Sequence, residues 1–241
     1  MTPTLLAFDT STERLSVALI APSGVQLADE PGGALASVTL LPRIGAMLAS
    51  AGVATADLDA IAFGRGPGAC TGLRTSCAVA QGLAFGLGKP VLAIDSLLIV
   101  AEDARAQRAA DAGGLDASAD FDVAVVMDAR MDQVYAAIYR WSAGGWSVLD
   151  APALFSLPAL AAAWQGRALA CIAGSALAAF NDRLVLPAAP WLLIERGRAA
   201  ALSRLAQMAW QNGEAADAAL ALPLYLRDKV ALTTDEREAA R

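Results

Sequence analysis

The sequence predicts an α/β protein built from two related halves. Short apolar segments alternate with helical patterns along the chain, which is typical of a layered α/β fold. A strand, an aspartate, a turn and a second strand follow one another at Phe8-Asp9, and the same unit recurs at Met127-Asp128. This repeat predicts a duplicated domain, with one lobe formed by residues 1–110 and about 213–241 and the other by residues 111–212.

The first half alternates strands and helices. Apolar runs bounded by polar or glycine turns indicate strands, whereas apolar residues three and four apart indicate helices. Gly52 and Gly88 stand where glycine commonly ends a helix, and Ser96 stands where serine caps one. The predicted elements are strands at 5–8, 15–20, 25–28, 60–63 and 91–94, and helices over about 35–50, 73–85 and 96–109.

The second half opens with strands joined by tight turns. Glycines at 144 and 145 mark one of these turns, and Ser175 begins a short helix. Small polar residues over 111–120 predict a linker between the halves, while 187–193 reads as irregular, 223–227 as extended and 233–241 as frayed. The predicted elements are strands at 123–127, 134–141, 146–149 and 169–172, and helices over about 157–164 and 199–211.

Composition bounds the class of protein. The 241 residues are 56% hydrophobic and 17% charged, with a net charge of −6 and no run of Lys or Arg, so direct binding of a nucleic-acid backbone by this chain alone is not expected. Three cysteines outside a CxxC spacing predict neither a disulfide framework nor a zinc site. No secretory signal and no uncharged apolar run of about 20 residues is recognisable, so a cytoplasmic protein without a membrane span is expected.

Histidine is absent from the whole sequence. This excludes a Ser-His-Asp triad, a Cys-His pair, HExxH zinc sites and any imidazole acid or base. Catalysis by this chain would have to use carboxylates, Lys, Tyr or Cys.

The segment Asp9-Thr10-Ser11-Thr12 lies between two predicted strands and allows two interpretations. Hydroxyls and exposed amides in such a loop can hold a phosphate, and the acid can orient a metal-bound water. A polar β-turn uses the same residue types. The residues alone do not decide between a degenerate phosphate loop and a turn.

A glycine-rich loop follows the strand at 60–63 and opens the next helix. Its spacing matches neither GxGxxG nor GxxxxGK[ST], it contains no lysine, and its proline removes an amide that a phosphate would need. We therefore expect the glycines to permit close approach to another backbone near a cleft or a partner. The residues of this loop that we single out are Gly64, Arg65, Gly66, Pro67, Gly68, Thr71 and Gly72.

The two helices predicted over 35–50 and 73–85 carry almost no charge. Arg43 is the one charged residue of the first, and Arg74 of the second. Because a surface helix normally has a charged face, a partner protein is expected to cover them. The predicted interface residues are Leu40, Leu41, Ile44, Met47, Leu48, Leu73, Arg74, Val79, Ala80 and Leu83.

Several short motifs, in order along nearly the whole chain, resemble the TsaB (YeaZ) family. The similar segments are Leu6-Ala7-Phe8-Asp9-Thr10-Ser11-Thr12-Glu13, Leu40-Leu41-Pro42, Gly64-Arg65-Gly66-Pro67-Gly68, Thr71-Gly72-Leu73-Arg74, Ala80-Gln81-Gly82-Leu83-Ala84, Asp128-Ala129-Arg130-Met131 with Val134-Tyr135, and Pro223-Leu224-Tyr225-Leu226-Arg227. Each motif is weak by itself, whereas the ordered set is highly specific.

The resemblance implies an actin-like fold of the ASKHA, ribonuclease-H-like type, with two lobes and mixed central sheets. It further implies a non-catalytic subunit, without cofactor or metal, that supports the catalytic subunit TsaD and works with the ATPase TsaE in threonylcarbamoylation of tRNA adenosine. The family's contact surface, used for TsaD and for a homodimer, maps onto the two helices with little charge. tRNA would be reached only through the complex.

The sequence departs from the family pattern at three positions. Ala36 stands where many relatives have histidine, and Ala69-Cys70 replaces the usual Ser-Phe of the glycine loop. Two other functions compete with the partner subunit. One is an independent ATPase or phosphotransferase that uses Asp9, although Arg130 and Met131 replace the Gly/Thr expected in its second phosphate loop. The other, less supported, is a peptidase.

Overall fold

The computed structural model describes residues 2–111 and 120–227. Those residues form two five-stranded sheets with helices on their faces. In chain order the elements are β1 Leu5–Asp9, β2 Arg14–Ala21, β3 Gly24–Pro31, α1 Ala36–Ala51, β4 Ala60–Gly66, α2 Cys70–Leu87, β5 Val91–Asp95, α3 Ser96–Asp111, β6 Phe121–Asp128, β7 Gln133–Ser142, β8 Gly145–Ser156, α4 Leu157–Ala163, β9 Cys171–Ala173, α5 Ala176–Phe180, β10 Trp191–Leu192 and α6 Arg198–Gln211.

The two sheets have the same topology, which confirms the predicted duplication. The first has the strand order β3-β2-β1-β4-β5, and the second has the order β10-β9-β6-β7-β8. In each, a three-stranded antiparallel meander is followed by two strands that run parallel to its first strand. Two copies of this mixed sheet make the fold actin-like.

Both faces of the first sheet are covered. Helices α1 and α2 pack on one face, where Leu40 and Ile44 meet Phe8 and Phe63 of the strands. Helix α6 packs on the other face, where Leu202 and Leu205 meet the alternate strand residues. The alternation arises because successive strand side chains point to opposite faces.

Helix α3 lies between the two lobes. Its Ile99 belongs to the core beneath the first sheet, whereas Leu97 and Val100 belong to a core that includes Phe121 and Tyr139 of the second sheet. A fourth core covers the far face of the second sheet with α4 and α5. The inner faces of the two sheets therefore share one helix.

Two features of the fold differ from the prediction: the lobe on which α6 packs, and the structure of residues 187–193. Helix α6 falls within the range 111–212 predicted for the second lobe, yet it contacts β1, β2, β3 and β5 of the first. An apolar stripe shows that a helix packs on a sheet but not on which sheet, so chain order misassigned it. The stretch predicted to be irregular also contains the short strand β10, which pairs in parallel with β9. Residues 112–119 of the expected linker, and the C-terminal residues 228–241 with the expected frayed end, lie outside the described residues.

Candidate functional site

Asp9 ends strand β1, and its side chain is fully buried beneath Ser11, Ser96 and Arg198, which line the cleft between the lobes. Its Oδ1 accepts hydrogen bonds from the Ser11 amide at 2.8 Å and the Ser11 hydroxyl at 2.7 Å. Its Oδ2 accepts a hydrogen bond from the Ser96 hydroxyl at 2.7 Å. The carboxylate is thus held by donors from two elements of the first lobe.

Arg198, the first residue of α6, is buried beside Asp9. Its Nη2 lies 3.4 Å from Asp9 Oδ1 and donates to the Ser11 hydroxyl at 3.1 Å, while its Nη1 donates to Glu195 at 2.6 Å. Burial alone would lower the pKa of Arg198, but the carboxylates of Glu195 and Asp9 outweigh burial and raise that pKa above its usual value. Arg198 therefore stays charged and neutralises Asp9 inside the protein.

This arrangement does not fit a magnesium nucleotide held by Asp9. The acid already accepts four hydrogen bonds, and one of them comes from the Arg198 guanidinium. A divalent cation bound to the Asp9 carboxylate would lie next to the positive Arg198 guanidinium, and like charges repel strongly in a buried site. Within the part of the chain that the structure describes, no cluster of three or more metal-binding side chains occurs.

The neighbouring residues are also committed to internal hydrogen bonds. The Thr10 hydroxyl donates to Gly72 O at 2.7 Å, and the Thr10 amide donates to Ser76 at 3.1 Å. Thr12 accepts a bond from its neighbour Arg14 at 3.1 Å. Thr10 and Ser11 are both buried and bonded within the lobe, which favours the polar turn over the degenerate phosphate loop at these two positions.

The glycine-rich loop packs against the end of β1. A Cβ at Gly64 would overlap the Asp9 carboxylate, and one at Gly72 would overlap the Thr10 carbonyl. Pro67 and Gly68 line the cleft, the Gly66 amide donates to Ser96 at 3.0 Å, and Arg65 and Thr71 are exposed. The loop thus serves close backbone packing at the cleft.

The cleft itself is a cavity of about 620 Å³. The first lobe contributes Leu73 and Leu97, and the second contributes Met127, Met131 and Tyr135. Its walls are therefore largely apolar, with the buried Arg198 and Ser11 at its floor.

The C-terminal segment 222–227 crosses this cleft from one lobe to the other. The Leu224 amide donates to Arg65 O of the first lobe at 2.7 Å. Arg227 Nη2 donates to the carbonyls of Ala129 at 3.0 Å and Arg130 at 3.4 Å in the second lobe. These carbonyls belong to a turn in which Arg130, Met131 and Asp132 all have positive φ. We call this segment the strap.

Two side-chain hydrogen bonds also join the lobes beside α3. The Tyr139 hydroxyl donates to Asp95 at 2.6 Å, and the Trp146 indole donates to Glu102 at 3.0 Å. Burial raises the pKa of Asp95 and exceeds the opposing effect of the bonds from Tyr139 and the Leu97 amide. Burial and the Asp95 charge raise the pKa of Tyr139 as well.

The second candidate surface is the outward face of α1 and α2, and here most predicted interface residues are misplaced. Six of them are buried: Leu40, Ile44, Met47, Leu48 and Ala80 in the core between the helices and the sheet, and Leu73 beside the cleft. Val79 and Leu83 are half-buried, and only Leu41 and Arg74 are exposed. A helix rich in apolar residues on all sides gives no polar stripe from which to tell its two faces apart.

The face that does point outward is still nearly uncharged. Val38 and Leu41 of α1 are 66% and 51% exposed, and Phe85 of α2 is 81% exposed. Small residues such as Gly45 and Gly82 separate them, with open space around each. Among the described residues, one segment, Gly33–Ala51, is long and apolar enough by composition to cross a membrane, although in this fold its inner side packs on β2 and β3.

Sequence reasoning missed Arg198 and the strap as parts of the site. Arg198 lies 189 residues from Asp9 in the chain, so no local pattern connects them. The single local signal was the short cluster of charges that ends at Arg198, which is typical of an exposed loop.

Two lobes of one topology around a shared cleft define an actin-like protein. Two structures from Pseudomonas aeruginosa have this fold: YeaZ, and a protein described as similar to peptidase YeaZ. They superpose with TM-scores of 0.77 and 0.79, are each 38% identical, and cover 93% of this chain and all of their own. The chain belongs to the TsaB (YeaZ) family.

Curated relatives agree with this assignment over part of the chain. The proteins named tRNA threonylcarbamoyladenosine biosynthesis protein TsaB from Haemophilus influenzae and Escherichia coli are 40% and 34% identical over 132 and 141 residues. These matches cover 55% and 58% of this chain but only 52% and 57% of those relatives, or about half of their length. The family model for TsaD, tRNA N6-adenosine threonylcarbamoyltransferase, matches residues 35–154.

Proposed function

We propose that this chain is a non-catalytic partner subunit in the formation of threonylcarbamoyladenosine in tRNA. It supports a TsaD-related catalytic subunit, which binds to the outward face of α1 and α2. The single observation that carries the proposal is this large apolar surface on a chain whose own cleft has its acid neutralised.

The buried ion pair beneath the cleft supports a non-catalytic role. Asp9 is the acid that an actin-like phosphotransferase would use, and here it forms a buried ion pair with Arg198. The chain has no histidine with which to replace it. The proposal therefore assigns the transfer reaction to the partner and an architectural role to this subunit.

The two-helix face supports docking. Exposed apolar patches on a soluble protein commonly mark sites of association, and aromatic residues such as Phe85 are enriched at their centres. The TsaD family model matches a range that includes both helices, so a TsaD-related protein would present a similar face. Related faces can pair about a pseudo-twofold axis, as the same patches do in symmetric dimers.

The remaining parts of the proposal rest on the charge of the chain and on its resemblance to the TsaB family. A chain of net charge −6 without a basic run would reach tRNA through the assembled complex. We include a TsaE-related ATPase, a cytoplasmic location and a homodimer in the absence of the partner within the same proposal.

A titration of the TsaD homologue into the chain tests the docking site. The variant with both Leu41→Glu and Phe85→Glu should bind at least about tenfold more weakly, since truncating hot-spot residues typically costs 2 kcal/mol or more. Both residues are exposed, so the fold should be unaffected, and Val185→Glu in the second lobe, 70% exposed, serves as the matched control. If the double variant binds as tightly as the unmodified chain, the docking face is wrong.

A further inference from the structure

The chain after α6 returns to the first lobe and runs beside α2. Ala216 pairs with Val91 of β5 through two backbone hydrogen bonds of 2.9 Å. The Gln81 side chain then donates to Ala218 O at 3.4 Å, and Arg74 Nε donates to the Tyr225 hydroxyl at 3.1 Å. The segment 218–225, which we call the C-terminal ridge, is therefore fastened to α2 at Gln81 and at Arg74.

The ridge lies on the side of α2 opposite to α1. Helix α1 contacts β2 and β3, α2 lies over β4, and the ridge begins at β5. Because the strand order places β3 and β5 at opposite edges of the sheet, the order across this face is α1, α2, ridge.

Small and large apolar residues of the ridge point in opposite directions. Ala218 and Ala221 are buried in the core beneath α2. Leu220 and Leu222 are 61% and 60% exposed, and Tyr225 is exposed beside Arg74. Burying the small side chains while presenting the large ones to water is unfavourable in an isolated chain, since burial of a leucine contributes about 1.5–3 kcal/mol.

The outward face of α1 and α2 is also smaller than a stable protein–protein interface, so a further element is needed to complete the docking surface. Helices of 16 and 18 residues, about 10 Å wide, give a face of roughly 500 Å². A stable interface buries about 800 Å² on each partner. An irregular ridge of eight residues, up to about 26 Å long, adds roughly 200 Å² and brings the surface close to that size.

We propose that the C-terminal ridge is the third element of the docking surface and that the TsaD-related subunit covers Leu220, Leu222 and Tyr225 together with α1 and α2. This inference rests on the proposed function. The TsaD family model matches residues 35–154, which contain α1 and α2, so a partner that pairs with both helices would also lie against the adjoining ridge.

The test compares Leu220→Glu and Leu222→Glu with the control Val185→Glu in titrations of the TsaD homologue. We expect each ridge variant to weaken binding by about tenfold or more while its thermal unfolding stays unchanged, and the control to bind normally. Light scattering of each isolated variant reports self-association in parallel. The variant with both Leu41→Glu and Phe85→Glu is measured in the same series.

The outcomes are distinguishable. Normal binding by both ridge variants, together with weak binding by the Leu41/Phe85 variant, would overturn the ridge proposal and leave the proposed function standing. A ridge variant that loses only self-association would assign the ridge to a second copy of the chain and overturn the choice of partner. Normal binding by every variant would instead refute the proposed function.

Discussion

Arg198 Nη2 lies 3.4 Å from Asp9 Oδ1, and both side chains are completely enclosed. Asp9 comes from the first strand and Arg198 from the last helix, so this ion pair connects the two ends of the first lobe. It also neutralises the acid that the competing ATPase or phosphotransferase function would need. The Asp9–Arg198 ion pair therefore stabilises the first lobe and also supports the non-catalytic role that we propose for the chain.

Removing either partner of this pair should destabilise the protein. Arg198→Met leaves the Asp9 charge buried without its ion-pair partner, and the expected loss is about 3–5 kcal/mol in the free energy of unfolding. The combined change with Asp9→Asn should cost less than the sum of the two single changes. Urea unfolding measures all three variants, with the exposed Arg196→Ala as a control expected to lose less than about 1 kcal/mol. A loss below about 1 kcal/mol for Arg198→Met would show that the pair is unimportant.

The isolated chain should not bind Mg-ATP in its cleft. The Asp9 oxygens are occupied by donors, and the charge of Arg198 opposes a divalent cation. Calorimetric titration of Mg-ATP should therefore show no saturable heat, and phosphate release should not exceed that of buffer. Saturable binding with hydrolysis would instead support the competing ATPase function.

The strap should open more easily when its second-lobe anchor is removed. Arg227→Ala deletes the donors to Ala129 O and Arg130 O, while the Leu224 amide bond to the first lobe remains. Segments held by few hydrogen bonds open at low free energy, so amide exchange in 224–227 should rise several-fold with little change in global stability. Arg167→Ala, which removes the pair with Asp150 elsewhere in the second lobe, is the control. Equal exchange in the variant and the unmodified chain would show that Arg227 does not hold the strap.

The Asp95 contact between the lobes should make stability depend on pH. Because burial raises the pKa of Asp95, folding favours its protonated form, and this contribution is complete below the ordinary pKa of about 3.9. It is lost as the pH rises through the raised pKa, so the charged group opposes folding at pH 7. Asp95→Asn can keep the bond from the Tyr139 hydroxyl but gives up the one from the Leu97 amide, so its stability relative to the unmodified chain should be higher at pH 7 than at pH 4.

Thermal unfolding at the two pH values checks this prediction. Asp150→Asn, in an exposed ion pair, is the control and should shift the unfolding temperature little at either pH. A variant Asp95→Asn whose relative stability is no higher at pH 7 than at pH 4 would mean that the hydrogen bonds of Asp95 outweigh the effect of burial.

Local sequence patterns predicted most of the fold, whereas contacts between segments distant in sequence were revealed only by the structure. The repeat at Asp9 and Asp128 predicted two lobes because the same strand and turn unit needs the same residue types. Gly52 and Gly88 marked the ends of α1 and α2, and both glycines have the positive φ that such an end requires. The position of α6 could not be predicted, since its apolar stripe fits either sheet equally well.

The candidate site was predicted in part. Low charge on α1 and α2 correctly indicated an apolar surface, but the same lack of charge concealed which side of each helix faces inward. Ile44 and Leu41 are three residues apart and only about 60° apart around α1, yet Ile44 is in the core and Leu41 is half exposed. The role of Asp9 depended on Arg198, and no local pattern reports a partner so distant in sequence.

The most direct test of the central claim is a reconstituted tRNA modification assay with the TsaD and TsaE homologues. The docking variant with both Leu41→Glu and Phe85→Glu is compared with Arg130→Ala, which changes an exposed residue of the cleft. If the chain acts by docking, the first variant should lose most of the threonylcarbamoyl transfer and the second should retain it. Full transfer with the docking variant, together with loss of transfer with Arg130→Ala, would contradict the account.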